Sequence, residues 1–463
     1  MKTNHVFLNR FFVLLFICTL VSTVAFAAGE EGYTREAIDL ETEDGMNLLA
    51  IKYSNGATNP KWGCVIMHPA GDSRRDWRLP YFAKAGIVGI GLAGRHHKDV
   101  AHGFYEPLML DIAAAVKHLR EVDKVEKVFL LGHSGGGSLM TLYAHQSSKK
   151  PGDRFSAPAA GQALVDWKLL GWDRMPPTGS MLKPRPDLNQ YELPAVDLLI
   201  VSAAHFGAGW ALLRKIDPSV TDEDDLTSLD PSLDMYNPAN GFEEPPKVSN
   251  YSKDLTFLGR FKQAQEERAW RLIRKAQSYI DEKRFYAKLM QAPGFKDLPL
   301  YEQIKITRKA ITQRYMVINR LLAIPNFTDL SIDPDDRIVG SNSTMRPDLG
   351  NYSRYFHPSF ITPESLVSAE GPSSPVHLLE QIKEVTIPTL FISGTADMQE
   401  YPSEREAMFS ASAAKIKDLV WIEGANHGFR PLGPKAGDGK QRDRAAVAMI
   451  DFIKKAYPGT TTN

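Results

Sequence analysis

The sequence predicts an α/β fold: a mostly parallel sheet with helices on both faces, interrupted by one long helical insertion. Three observations predict it. Short apolar runs alternate with helical patterns over the first third of the chain. That alternation stops near residue 207 and resumes near residue 389. One of the apolar runs passes through a glycine-rich turn directly into a helix. The chain has 463 residues, 43% of them hydrophobic, with 55 Lys+Arg against 55 Asp+Glu. Such a chain is too apolar to be disordered, and its zero formal charge gives no electrostatic case for nucleic acid as a partner. Two cysteines can build neither a disulfide framework nor a Cys-based zinc site.

The elements follow in order. Residues 1–27 have the layout of a signal peptide. Lys2, His5 and Arg10 form a basic leader, and an apolar run from Phe11 ends in Ala25-Phe26-Ala27. The run is nearly long enough to be an uncleaved anchor. The Ala-x-Ala ending and the polar Gly29-Glu30-Glu31-Gly32 favour cleavage after Ala27, and Ile17 is too bulky for lipidation at Cys18. The expected location is periplasmic or secreted, with no stable membrane anchor after cleavage. Losing Lys2 and Arg10 leaves 53 basic residues against 55 acidic, a net charge of −2. Cys64 then stands alone, and is expected to be a buried, small apolar residue.

Apolar runs at 62–67, 87–92, 127–131 and 196–202 read as strands, and 78–85, 108–122 and 138–146 as helices between them. That alternation means βαβ crossovers and a parallel sheet buried on both faces. From 207 to 384 the pattern is helical and loop-rich. Residues 252–291 read as a long amphipathic helix or helix pair, with Leu258, Phe261, Trp270, Ile273, Ala276 and Ile280 near helical spacing. Residues 301–322 read as another helix. Strands are expected again at 389–393 and 419–423, and a closing helix at 442–456. The core is therefore read as 33–206 plus 385–463, with 207–384 inserted after the fourth core βα unit.

The turn that carries chemistry is Gly132-His133-Ser134-Gly135-Gly136, between the strand at 127–131 and a helix. A turn this sharp strains the serine backbone and leaves no room for side chains two residues either side, so Gly132 and Gly136 are required. It presents the hydroxyl of Ser134 above the sheet edge. A serine needs a base, and the base needs a carboxylate. The strand at 389–393 runs into Gly394-Thr395-Ala396-Asp397, and the next into Glu423-Gly424-Ala425-Asn426-His427. Both turns belong on the same sheet edge, so Asp397 and His427 are the candidate acid and base. Glu423 is a rival acid, but it precedes His427 too closely to face its ring. The oxyanion needs two backbone N–H donors. Gly135 is one candidate; Ala70 in Met67-His68-Pro69-Ala70-Gly71 is the other, since Pro69 has no N–H.

These segments resemble the α/β-hydrolase superfamily, on both sides of the insertion. The resemblance implies Ser134 as nucleophile, Asp397 as acid and His427 as base. It departs at Pro69, where many members have glycine. It further implies that 207–384 is a lid, since such proteins commonly carry one at this point. His96, His205 and His133 are candidate substrate contacts, by their positions at strand ends. Arg74, Arg75 and Arg95 lie beside such turns, with surface roles expected for the first two. No metal site is expected, because no third ligand sits at suitable spacing. The nine Lys/Arg and four Asp/Glu of residues 256–290 interleave, which describes a solvated face.

The sequence thus points to an exported serine hydrolase that cleaves a carboxylic ester of a small molecule and needs no cofactor. Amide, lactone or C–C bond hydrolysis and acyl transfer use the same triad. A non-catalytic secreted binding protein on this fold is the rival from another class, although such proteins usually lose a triad member. Neither the substrate nor the oligomeric state is encoded legibly.

Overall fold

The computed structural model describes residues 32–97, 99, 101, 103–156, 185–225, 227–340, 346–353 and 360–459. The expected signal peptide at 1–27 lies outside them. The chain opens with strands β1 (Thr34–Glu41) and β2 (Asn47–Ser54), an antiparallel hairpin absent from the sequence reading. Strand β1 is the sheet edge, where Ile38 and Leu40 turn inward and Asp39 and Glu41 outward, so it forms no apolar run. Strand β2 lies between β1 and β4 and buries Leu48 and Ala50 from the short run Leu48-Leu49-Ala50-Ile51. The expected strands follow as β3 (Trp62–Ile66), β4 (Ile87–Leu92), β5 (Lys127–His133) and β6 (Leu198–Ser202). Much further along the chain, β7 (Met316–Val317) and β8 (Phe360–Ile361) form a small separate ribbon. Strands β9 (Thr389–Gly394) and β10 (Lys417–Ile422) then complete the main sheet.

The main sheet has eight strands in the order β1-β2-β4-β3-β5-β6-β9-β10. All its pairings are parallel except β1 with β2 and β2 with β4. This is the strand order of the α/β-hydrolase fold. The longer helices of the chain are α1 (Arg78–Lys84), α2 (Tyr105–Glu121), α3 (Gly135–Ser147), α4 (Ala208–Lys215), α5 (Leu255–Gln291), α6 (Leu300–Ile311), α7 (Pro402–Ala411) and α8 (Gln441–Ala456). On one face of the sheet, Leu79 and Phe82 of α1 and Met449, Phe452 and Ile453 of α8 join one apolar core. On the other face, α2, α3 and α7 contribute Met109, Ile112, Leu139, Met140 and Met408 to a second. Cys64 is fully buried in the first, as a small apolar residue.

Between the adjacent strands β6 and β9 the chain leaves the sheet and builds cores of its own. One gathers Ile216, Leu272, Ile273, Ile318, Leu321 and Leu366, and another Tyr251, Phe257 and Phe261. The stretch read as a helix or helix pair is the single helix α5. Asp254 caps it, accepting from Thr256 N at 3.0 Å and Phe257 N at 3.1 Å. Trp270, expected on its inner face, is 36% exposed. The helix expected over 301–322 ends at Ile311. Beyond it Met316, Ile318 and Arg320 are buried and Val317 is exposed, an alternation that fits an extended chain and not a helix. A buried network fastens this stretch: Arg320 Nε donates to Asp217 Oδ2 at 2.9 Å, and Asn351 Nδ2 to the same oxygen at 2.6 Å. Among the described residues, no helix is long and apolar enough to cross a membrane.

Candidate active site

Strand β5 ends at His133 and α3 begins at Gly135, so Ser134 alone makes the turn. Its backbone sits at φ 55° and ψ −125°, a conformation costing a non-glycine residue on the order of 1–3 kcal/mol. The surroundings hold it there. Ser134 N donates to Ser202 O of β6 at 3.0 Å, and Gly137 N donates to Ser134 O at 2.9 Å. A Cβ on Gly132 would lie 2.0 Å from Gly136 O, and one on Gly136 would lie 2.6 Å from Met67 O. Both glycines are therefore steric requirements of the turn. Gly135 is the first residue of α3, where amides have no partner within the helix.

Asp397 follows β9 and is fully buried, while His427 follows β10. Nδ1 of His427 lies 2.9 Å and 3.1 Å from the two carboxylate oxygens. An ionised carboxylate only accepts, so Nδ1 donates. Burial works to raise the Asp397 carboxyl, but His427 beside it, with Arg405 and the Gln399 N–H, holds it below its ordinary value. The rival acid, Glu423, is exposed to solvent. The acid and histidine loops are also tied together. Gly424 N donates to Thr395 Oγ1 at 2.9 Å, and Ala396 N to Ala425 O at 2.9 Å. Thr395 Oγ1 donates in turn to Asp336 Oδ2 at 2.6 Å, which binds the insertion to the acid loop.

His133 packs against His427, with ring centroids 4.7 Å apart and the ring planes tilted by 38°. Behind it lies Arg78, fully buried, with Nη2 at 3.1 Å from His133 Nδ1 and an ion pair to Asp76 at 2.9 Å. A guanidinium only donates, so His133 Nδ1 accepts and the ring is neutral. Burial, and then Arg78, push its pKa well below the ordinary histidine value. His133 is thus packed between Arg78 and His427, and it does not line the cavity beside Ser134, where its sequence position suggested a substrate contact.

His68 closes the other side. Its Nδ1 accepts from Gly71 N at 2.9 Å and from Ala70 N at 3.2 Å, so the proton sits on Nε2. Burial and the nearby His427 lower its pKa to about 4. The ring is thus a neutral brace for the turn that carries Ala70.

Ser134, Gly135, Ala70, His68 and His427 line one cavity of about 330 Å³. His205 lines it as well, as its place after β6 suggested. Its Nδ1 accepts from Gly207 N at 3.2 Å, and burial pushes its pKa well below the ordinary value. His96 is buried but does not line the cavity. The segment is drawn onto α2, where Arg95 N and Nε donate to Asp111 at 2.9 Å and 2.7 Å. Arg95 is thereby committed to ion pairs with Asp111 and Asp44. Arg74 pairs with Asp72 at 2.8 Å, at the surface.

The opposite wall comes from the insertion: Leu212 of α4, with Ile318, Leu321, Ile361 and Leu366. Tyr105, Lys215, Glu370 and Gln399 also reach the cavity, and the sequence reading named none of them. They come from four separate segments with no shared motif, so only the fold brings them together. Among the described residues, no group of three or more His, Cys, Asp or Glu could hold a metal ion.

No protein-family model and no curated protein matches the chain. Among solved structures it is similar to Est1E from Butyrivibrio proteoclasticus with ferulic acid bound, at 12% identity over 91% of this chain and 99% of that one, TM-score 0.42. It is similar to the α/β hydrolase GrgF from Penicillium sp. sh18, at 13% identity over 91% and 98%, TM-score 0.44. The Pyrococcus furiosus esterase Pf2001 aligns at 10% identity over 92% of each chain, TM-score 0.38. The class defined by the sheet order is the α/β-hydrolase fold. What the particular protein does has to be read from its cavity.

Proposed function

We propose that this protein is an exported serine hydrolase acting on a carboxylic ester through an acyl-enzyme. One observation carries the reading: the strained Ser134 turn and the Asp397–His427 pair open onto the same cavity. His427 Nε2 takes the proton as Ser134 Oγ attacks the carbonyl, and Asp397 orients the ring and stabilises the imidazolium. The oxyanion falls to the N–H groups of Gly135 and Ala70. The Ala70 N–H bond to His68 at 3.2 Å is long, and a charged oxygen competes for it effectively. His427 then returns the proton to the leaving alcohol, and water releases the acyl group by the reverse steps. No step calls for a cofactor. The insertion acts as a lid, and its Leu212, Ile318, Leu321, Ile361 and Leu366 give the cavity an aliphatic wall for substrate.

A hydrolysis screen tests this, using p-nitrophenyl esters of rising chain length beside lactones and anilides, on wild type and Ser134→Ala. Ester turnover that vanishes in the variant is the expected result. Folded wild type that turns over no ester removes the ester reading. Preferential cleavage of lactones or anilides would move the reaction to another bond served by the same triad.

A further inference from the structure

Three glycines follow Ser134, and two are explained by backbone packing. Gly136 belongs to the turn, and a Cβ on Gly137 would lie 2.2 Å from Ala204 Cβ. At Gly135 the nearest atoms are instead those of two imidazoles. A Cβ there would lie 3.1 Å from His68 Nε2 and 3.4 Å from His205 Nε2. Both rings line the cavity with Gly135, and each turns its Nε2 corner to this one point. They reach it from opposite sides: His68 follows β3 and His205 follows β6, the two strands that flank β5. Their tautomers are fixed by the backbone. His68 Nδ1 accepts from Gly71 N at 2.9 Å, and His205 Nδ1 from Gly207 N at 3.2 Å. A ring nitrogen that accepts carries no proton, so each neutral ring carries its hydrogen on Nε2. Burial keeps them neutral, lowering His68 to about 4 and His205 well below the ordinary histidine value. Among the described residues, the hydrogen bonds of both rings are made at Nδ1. Two N–H donors therefore stand in the cavity wall beside the nucleophile.

We infer that the Nε2–H groups of His205 and His68 are oxyanion donors, joining the N–H groups of Gly135 and Ala70. In a helical residue the N–H and the Cβ direction both lean toward the helix N-terminus. The point that both rings face therefore borders the oxygen that Gly135 N–H would hold. The backbone alone serves that oxygen incompletely. Pro69 has no N–H, and Ala70 N–H reaches it only by leaving His68 Nδ1, where it is held at 3.2 Å. Gly71 N keeps the His68 ring in place when it does. Donors fixed in the wall before the reaction need no reorganisation as negative charge develops. Both rings keep their protons throughout, and only His427 exchanges one with Ser134. The inference rests on the hydrolase reading, because an oxyanion forms only if Ser134 attacks a carbonyl.

Two variants of His205 separate a donor from a filler of space. His205→Phe keeps a ring without the donor, and His205→Gln returns an amide N–H near the place of Nε2. Both are assayed below their Tm on p-nitrophenyl esters from acetate upward, and against an alkylboronic acid that adds Ser134 Oγ to form a tetrahedral boronate. His205→Phe should lower kcat by roughly 10–100-fold on every ester while KM changes little. It should weaken the boronic acid by a similar factor. The Kd of an intact ester for Ser134→Ala should stay nearly the same when His205→Phe is added, since the contact strengthens only as charge forms. His205→Gln should recover most of both losses. His205→Leu repeats the comparison with a smaller side chain should the Phe variant fail to fold. An unchanged kcat in the Phe and Leu variants, a loss confined to KM, or equal losses in the Gln variant would overturn the donor assignment and leave the hydrolase reading standing. Folded wild type that cleaves no ester and binds no boronic acid would remove the hydrolase reading, and the donors with it.

Discussion

Ser134 can attack only if His427 removes its proton, so in the proposed mechanism the two side chains act as one unit. Ser134→Ala and His427→Ala should each cost several orders of magnitude in kcat, and the double variant should be scarcely worse than either. Multiplicative losses in that cycle would show the residues acting independently. His68 gives a second prediction at this scale, because its ring has one structural atom. Asn at this position keeps an acceptor near the place of Nδ1, so His68→Asn should hold the Ala70 turn and retain more activity than His68→Phe. Its titration has a sign as well. The folded ring has a pKa of about 4 against an ordinary value of 6.5, so the unfolded chain binds the extra proton between them. Stability from this group is present above 6.5 and lost as pH falls toward 4. Removing it in His68→Asn should flatten the loss between pH 7 and pH 5 by about 2 kcal/mol, measured by urea unfolding at both values. An unchanged slope would mean that His68 is not held neutral. The three residues of the proposed triad could be picked out of the sequence because each sits in a short turn with glycine or small neighbours. The placement of His133 outside the cavity was not legible, because no linear pattern puts the Arg78 guanidinium behind its ring.

Elements of the sheet centre were legible because each is an apolar run buried on both faces. Strand β1 was not, since an edge strand that buries alternate residues reads as polar, and β2, whose apolar run is only Leu48–Ile51, was missed with it. The end of α6 was missed because apolar residues continue past it: buried and more exposed positions alternate only from Met316 to Arg320, and Leu321–Ile324 are then buried throughout. In the insertion, Leu321 and Ile361 line the cavity from an extended segment and from the small ribbon. If the insertion is a lid that selects substrate, Leu321→Ala and Ile361→Ala should change kcat/KM by roughly 1–3 kcal/mol for long-chain esters and much less for short ones. Equal losses on every ester, or losses that follow Tm, would make the insertion a structural element and return specificity to the core loops.

At the scale of the whole molecule, the split core was readable from where strand-helix alternation stops and restarts. How the insertion returns to the site was not, because contacts such as Thr395 with Asp336 join segments with no sequence pattern in common. The proposed export also belongs to this scale, and it rests on the first 27 residues. N-terminal sequencing of the protein from its producing cell should begin near Ala28, whereas an intact Met1 terminus would contradict secretion. The central claim is that the strained turn after β5 holds an activated nucleophile, and a fluorophosphonate probe addresses it most directly. The folded wild-type protein, labelled and digested, should carry one adduct on the peptide containing Ser134. Labelling should be lost in Ser134→Ala and strongly slowed in His427→Ala. A folded wild-type protein that takes up no probe, or takes it up equally after Ser134→Ala, would contradict the account.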